Sequence, residues 1–183
     1  LRADFLFDPK GELNHFFRAL QKAENGEGKI RIAQFGDSHT AADMLTRHLR
    51  NSLQKKFGNG GRGYMLPGFP LKHYRKKDAN YGSEGKWKTV AGWRLKDSSP
   101  VGLGLLRVSS SNPSAKLWVG SCDSCNVSSF EISFLKAKKG GDFAYKIDDG
   151  PWQRQPTRGH GVDYLILKTT NKSHRVTIRP VGN

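Results

Sequence analysis

Residues 30–40 read Ile30-Arg31-Ile32-Ala33-Gln34-Phe35-Gly36-Asp37-Ser38-His39-Thr40, and the interpretation of the whole chain depends on this stretch. An apolar run that favours a β-strand ends at Gly36, and an acid, a serine and a histidine follow before a helix-compatible segment. A turn between a strand and a helix presents backbone N–H groups beside a side chain held at the edge of a sheet. The stretch therefore predicts a polar site at the start of a helix.

Ser38 is the candidate nucleophile of this site, and its own N–H could serve as one oxyanion donor. A serine hydroxyl needs a general base, usually a histidine, within hydrogen-bond reach. His39 is adjacent in sequence, so its ring points elsewhere, and the other five histidines lie in no recognisable base motif. We expect Asp37 to support the turn by accepting from backbone N–H groups. The alternative is that Ser38 only caps a helix.

The segments around this site predict helices on both sides of a strand. Apolar residues recur at helical spacing over 13–20, and four-residue steps from Leu45 to Phe57 predict a second helix over 41–57. Gly58-Asn59-Gly60-Gly61 ends that helix. With a strand over 29–35, residues 1–68 read as the opening of an α/β sheet with helices on both faces.

The sequence pattern changes after residue 68. Residues 69–100 show no clear period and are expected to form an irregular linker or the start of an inserted domain, with aromatic residues that fill a core or contact a ligand. From 101 to 183, short alternating runs separated by turn signals predict an antiparallel β-sandwich, jelly-roll-like in form. The predicted strands are 103–109, 116–119, 129–135, 143–147, 152–155, 164–168 and 175–179.

The charge of the chain indicates which class of partner it attracts. The 183 residues include 31 Lys and Arg against 16 Asp and Glu, a formal net charge of +15, which attracts anionic polymers. The one dense basic cluster, 72–77, is interpreted as a solvated loop, and without an organised stripe or a known module we expect no nucleic acid partner. No apolar run approaches the length of a membrane span. No motif demands a metal, so we predict no cofactor.

Two cysteines occur as Cys122-Asp123-Ser124-Cys125. One C-x-x-C pair is half of a zinc site, and no second half follows. Because the flanks read as two strands, we favour a short disulfide that clips a hairpin loop, which would place the protein in an oxidising compartment. Reduced thiols are the alternative.

Residues 32–40 closely resemble the first conserved block of the SGNH (GDSL-like) hydrolases. The helix over 49–57 and the glycine-rich 58–64 are similar to a bacterial envelope branch of that superfamily, the peptidoglycan O-acetylesterases with an inserted β-sandwich. Residues 138–152 resemble part of such an insert, of the kind related to family 35 carbohydrate-binding modules.

This resemblance implies a three-layer α/β/α hydrolase domain and ester hydrolysis through an acyl-serine, with Ser38 as nucleophile and oxyanion donor. It implies a periplasmic or secreted protein that acts on an acetylated or acidic polysaccharide, peptidoglycan first. Only the first catalytic block is present; the later blocks, including the Asp-x-x-His that supplies the base, do not appear. We therefore expect an N-terminal portion of an esterase, inactive by itself, whose remaining C-terminal part lies in further polypeptide. The alternative is a non-catalytic polysaccharide-binding or scaffold protein of the envelope.

Overall fold

The structure is a computed structural model that describes residues 8–68, 71, 74, 78–122 and 125–181. The chain divides into two compact units, Leu1–Gly63 and Tyr64–Asn183. The basic cluster at 72–77 lies outside the described residues, apart from Tyr74. Among the described residues, no helix has both the length and the apolar character needed to cross a membrane.

The described part of the first unit is helical. It contains α1 (Asn14–Glu24), α2 (Ser38–Ala41) and α3 (Met44–Phe57), so the helices predicted near 13–20 and over 41–57 are confirmed. The second is interrupted, because Asp43 between α2 and α3 adopts a left-handed backbone with φ 59°. Aspartate tolerates this conformation better than most residues.

The strand predicted over 29–35 is wrong for this chain. These residues have no regular secondary structure, and the described part of the first unit contains no strand with which they could pair. A β-branched, apolar composition favours a strand only where a neighbour accepts its hydrogen bonds. The expected α/β layer is therefore not formed here, and the segment remains an apolar stretch beside α3.

The second unit is built from antiparallel strands. They are β1 (Ala79–Glu84), β2 (Lys88–Ala91), β3 (Leu106–Ser109), β4 (Lys116–Ser121), β5 (Val127–Lys136), β6 (Asp142–Ile147), β7 (Gln153–Gln155), β8 (Gly161–Lys172) and β9 (Arg175–Val181). One sheet has the order β1-β4-β9-β6-β7, and two smaller sheets pair β2 with β3 and β5 with β8. The expected antiparallel β-structure is confirmed, and the range 69–100 contributes β1 and β2.

A hydrophobic core joins the five-stranded sheet to the β5–β8 sheet. Tyr145 of β6 and Val176 of β9 pack against Leu167 of β8, with partly buried apolar side chains from β5 around them. Alternate residues of each strand face this core, since side chains alternate between the two faces of a sheet. A second cluster buries Leu66, Tyr74 and Leu106. The other face of the five-stranded sheet carries the remaining residues of β1, β4, β9 and β6.

Cys122 and Cys125 form a disulfide, as favoured from the sequence. The bond does not clip a hairpin, and that part of the prediction is wrong. It lies between β4, which pairs with β1 and β9, and β5, which pairs with β8. The bond therefore closes a short connection between two different sheets, while residues 123–124 lie outside the described residues.

Candidate functional site

Ser38 is an exposed residue at the first position of α2. The N-cap of this short helix is Asp37, whose Oδ1 accepts from the His39 N–H at 3.0 Å. The serine is therefore inside the helix rather than at its cap, and the alternative role of Ser38 as a capping residue does not apply. The glycine at position 36 also has a local explanation, because a Cβ there would stand 2.3 Å from Thr40 Oγ1.

Asp37 carries a negative charge next to the serine. The hydrogen bond from the His39 backbone N–H, together with the His39 ring, holds the pKa of Asp37 below its ordinary value despite an opposing effect of desolvation. His39 Nδ1 lies 3.4 Å from Asp37 Oδ1, and both side chains are about three-quarters exposed. Such an exposed pair contributes little to stability, so Asp37 acts here mainly on the local backbone.

The carbonyl of Ser38 accepts a hydrogen bond from the Ala42 N–H at 2.8 Å. Within the described chain, neither the N–H nor the Oγ of Ser38 is hydrogen-bonded to another residue. The first N–H groups of a helix lack internal acceptors. No imidazole of the described first unit hydrogen-bonds Ser38: His15 lies on α1, His48 on α3, and the His39 ring is turned toward Asp37.

An open apolar groove lies beside this turn, within the first unit. Residues 32–35 form one wall, and Leu45, His48, Leu49 and Ser52 of α3 form the other; the space between them is about 660 Å³. Phe35 is 79% exposed and Leu45 59% exposed. Large apolar side chains grouped at such exposure are typical of an interaction surface.

Sequence analysis missed the carboxylate that holds this unit together. Asp43 is 3% exposed. Its two carboxylate oxygens accept from Thr46 Oγ1 at 2.5 Å, from both terminal nitrogens of Arg50 at 3.2 and 3.0 Å, and from Arg62 Nη2 at 2.8 Å. The network ties α3 to the chain after its C-terminus. In the sequence, only the spacing of Asp43 and Thr46, which is typical of a helix start, indicated a role for this carboxylate.

In the second unit, the structure pairs His174 with Asp148. His174 is buried; its Nδ1 lies 2.7 Å from Asp148 Oδ2, and its Nε2 lies 2.9 Å from Thr170 Oγ1 and 3.0 Å from the Thr170 carbonyl. Asp148 Oδ1 also accepts from the Arg175 N–H at 2.8 Å. Both ring nitrogens of His174 thus have hydrogen-bond partners. The pair of His174 and Asp148 joins the turn after β6 to the connection between β8 and β9.

The described residues contain no group of three or more His, Cys, Asp or Glu placed to hold a metal ion. Comparison of the chain with models of protein families gives no match, and comparison with curated proteins gives none either. The family suggested by residues 32–40 therefore stays a prediction, carried by those residues and by the local geometry of Ser38.

Proposed function

We propose that this chain is the N-terminal portion of a serine carbohydrate esterase that removes O-acetyl groups from a cell-envelope polysaccharide, with peptidoglycan as the first candidate. Ser38 Oγ attacks the acetyl carbonyl, and a histidine supplied by further polypeptide takes its proton. The sugar hydroxyl leaves with a proton from that histidine, and water then releases acetate from the acyl-serine. Periplasmic or extracellular localisation is part of the proposal.

The observation that carries this proposal is the exposed, first-turn position of Ser38. Its hydroxyl is accessible to a substrate. Its N–H has no acceptor among the described residues and lies in the first turn of a helix, where N–H groups can donate hydrogen bonds to a developing oxyanion. Asp37 fixes the turn through the His39 N–H. A nucleophile needs this combination of accessibility and a rigid backbone.

The apolar groove supports the idea that further polypeptide completes the site. Residues 32–35 expose large apolar side chains, and α3 exposes Leu45 and Leu49 opposite them. Parallel sheets need cover on both faces. We propose that the remaining part of the hydrolase domain covers this groove and brings the catalytic histidine to Ser38.

A non-catalytic polysaccharide-binding or scaffold role is the second candidate function. The net charge of +15 favours an acidic polymer as the partner under both proposals. The two differ in whether the hydroxyl of Ser38 is needed for turnover.

Hydrolysis of an aryl acetate by the natural full-length polypeptide and by its Ser38→Ala variant tests the proposal. We expect the substitution to lower kcat/KM by about 10³-fold or more, as in other serine hydrolases. Ser133→Ala is the matched control, because Ser133 is exposed on β5 and should leave turnover unchanged. Equal turnover in Ser38→Ala and the parent would reject the nucleophile, and no turnover in the parent would favour the binding role.

A further inference from the structure

The β5–β8 sheet has one face in the core and one face that points away from it. Leu165 and Leu167 of β8 belong to the core. Because side chains alternate between the two faces of a strand, Val162, Tyr164 and Ile166 point away from the core, and they are 48%, 58% and 62% exposed. We call these three residues the β8 stripe.

The surroundings of the β8 stripe leave it open to solvent. β5 and β8 form a sheet of two strands, and the described residues add no third strand to it. The register places Leu135 of β5 opposite Val162 and Glu131 opposite Ile166; Leu135 is half-buried and Glu131 is exposed. Large apolar side chains grouped on one face at this exposure are typical of a surface that binds a protein or a membrane.

Three basic residues lie at one end of the β8 stripe. Lys138 and Lys139 follow β5, and Arg158 precedes β8; all three are exposed. Arg158 is bridged to Ala137, and the Ala137 N–H donates to the Thr157 carbonyl at 3.0 Å. These backbone contacts hold the β5–β6 connection and the β7–β8 connection together at the end of the β5–β8 sheet. We call Lys138, Lys139 and Arg158 the basic turn.

The basic turn carries positive charge that the chain does not neutralise. The carboxylates closest to it in sequence have other partners: Asp163 Oδ2 lies 2.8 Å from Lys136 Nζ, and Asp142 Oδ2 lies 2.5 Å from Arg154 Nε. Within the described chain, no carboxylate forms an ion pair with a residue of the basic turn. Glu131 is the one acid that β5 and β8 place on the same face as the β8 stripe. This end of the sheet therefore combines an exposed apolar surface with net positive charge.

This combination fits the surface of an anionic lipid bilayer. Aliphatic side chains such as Val162 and Ile166 partition toward the acyl chains, a tyrosine prefers the level of the headgroups, and lysine and arginine attract anionic lipids. From Val162 to Ile166 the strand covers about 13 Å, so the β8 stripe can lie flat along the bilayer with the basic turn at the headgroups. A second copy of the chain fits less well, because each copy carries a net charge of +15 and the two copies repel each other.

We propose that the second unit docks on anionic membranes through the β8 stripe and the basic turn. The β8 stripe enters the boundary between headgroups and acyl chains, and the basic turn binds lipid phosphates. The two parts act together, because three side chains bury only a small apolar area and the attraction of three charges is screened within about 8 Å at physiological salt. The docking surface is independent of Ser38 and of esterase activity.

Binding of the natural full-length polypeptide to vesicles, measured by co-sedimentation, tests the proposal. Vesicles of phosphatidylglycerol and phosphatidylcholine in equal parts should bind it about tenfold or more tightly than vesicles of phosphatidylcholine alone, since each basic residue near an anionic surface contributes about fivefold. Tyr164→Thr/Ile166→Thr should weaken binding by about tenfold or more, because two large side chains no longer leave water; threonine keeps the preference for a strand. Lys138→Gln/Lys139→Gln should weaken binding by about tenfold or more through the lost charges. Ser38→Ala should bind vesicles like the parent.

Two matched controls lie outside the β5–β8 sheet. Leu103 is 66% exposed, and Leu103→Thr should bind vesicles like the parent. Lys88→Gln/Lys116→Gln removes two positive charges from exposed positions on β2 and β4, and it should weaken binding less than Lys138→Gln/Lys139→Gln does. An equal loss of affinity in the two lysine variants would overturn the proposal in favour of unspecific charge attraction.

The apolar contact has its own decisive outcomes. Parent-like binding of Tyr164→Thr/Ile166→Thr to the anionic vesicles would refute the proposal. A dimer of the parent in sedimentation velocity that this double variant converts to a monomer would overturn it in favour of a second copy on the β8 stripe. If the double variant unfolds, Tyr164→Thr and Ile166→Thr decide the question separately, and parent-like binding in both would reject the docking surface.

Discussion

Replacement of Asp43 by alanine should unfold the first unit or nearly so. The substitution removes the carboxylate that accepts from Thr46, Arg50 and Arg62, and the two arginine side chains are only 15% and 14% exposed. Loss of one partner of a buried ion pair costs about 3–5 kcal/mol. Alanine at φ 59° adds about 1 kcal/mol. The sum, about 4–6 kcal/mol, is close to the whole stability of a small domain.

Urea denaturation followed by far-ultraviolet circular dichroism measures this loss. The described α-helices, α1 to α3, all lie in the first unit, so the helical signal reports that unit. Asp43→Asn separates the two contributions: asparagine tolerates the left-handed backbone and still accepts one hydrogen bond, so we expect a smaller loss of about 2–3 kcal/mol from the missing charge.

Asp149→Asn is the control for this experiment. Asp149 is 95% exposed, and its removal should change the unfolding free energy by less than about 0.5 kcal/mol. A loss below about 1 kcal/mol in Asp43→Ala would show that the network around Asp43 does not hold the first unit together, and the reasoning from burial would be refuted.

Three further predictions concern the second unit. Burial raises the pKa of Asp148, but hydrogen bonds from His174 and the Arg175 N–H, with the charges of His174 and Lys172, outweigh it and hold the pKa below 3.8. The resulting stability is present above pH 3.8 and is lost as the pH falls through the lower pKa of the folded state. The unfolding free energy of Asp148→Asn, measured by tryptophan fluorescence, should therefore depend less on pH in this range than that of the parent. Serine at both Cys122 and Cys125 should lower the unfolding free energy by about 2 kcal/mol in chemical denaturation, the entropy of a very short loop. Gly82→Ala should displace the Trp118 ring, with a cost of about 1–3 kcal/mol and a shift in tryptophan emission; an unchanged emission spectrum would contradict the close approach.

Local patterns in the sequence were sufficient for the helices and for most strands of the second unit. Apolar spacing indicated α1 and α3, and alternation with turn residues indicated β3 to β9 within a few residues. Strands β1 and β2 were missed, because residues 79–91 contain glycine and charged residues and do not alternate clearly. They are strands because β4 and β3 supply partners, as β-propensity depends strongly on context.

The errors share a cause, since each depends on which segments pair. Residues 29–35 have the composition of a strand but no partner in the described first unit, and they remain irregular. The two strands that flank the disulfide were expected to form a hairpin, but β4 pairs with β1 and β9 instead. Pairs between segments far apart in sequence leave no local trace in a single sequence, whereas helices depend on contacts three or four residues apart.

The same argument explains why the candidate site at Ser38 could be predicted from the sequence, whereas the contact between Trp118 and Gly82 could not. Asp37 and Ser38 are adjacent, and the turn that orients them is local, so the stretch 36–40 was enough to single them out. Trp118 meets Gly82 only through the register of β1 and β4. A shift of one residue in β4 would turn Trp118 toward the core and remove the ring from the glycine. The register of the two strands is therefore as much a determinant of this contact as the identity of either residue.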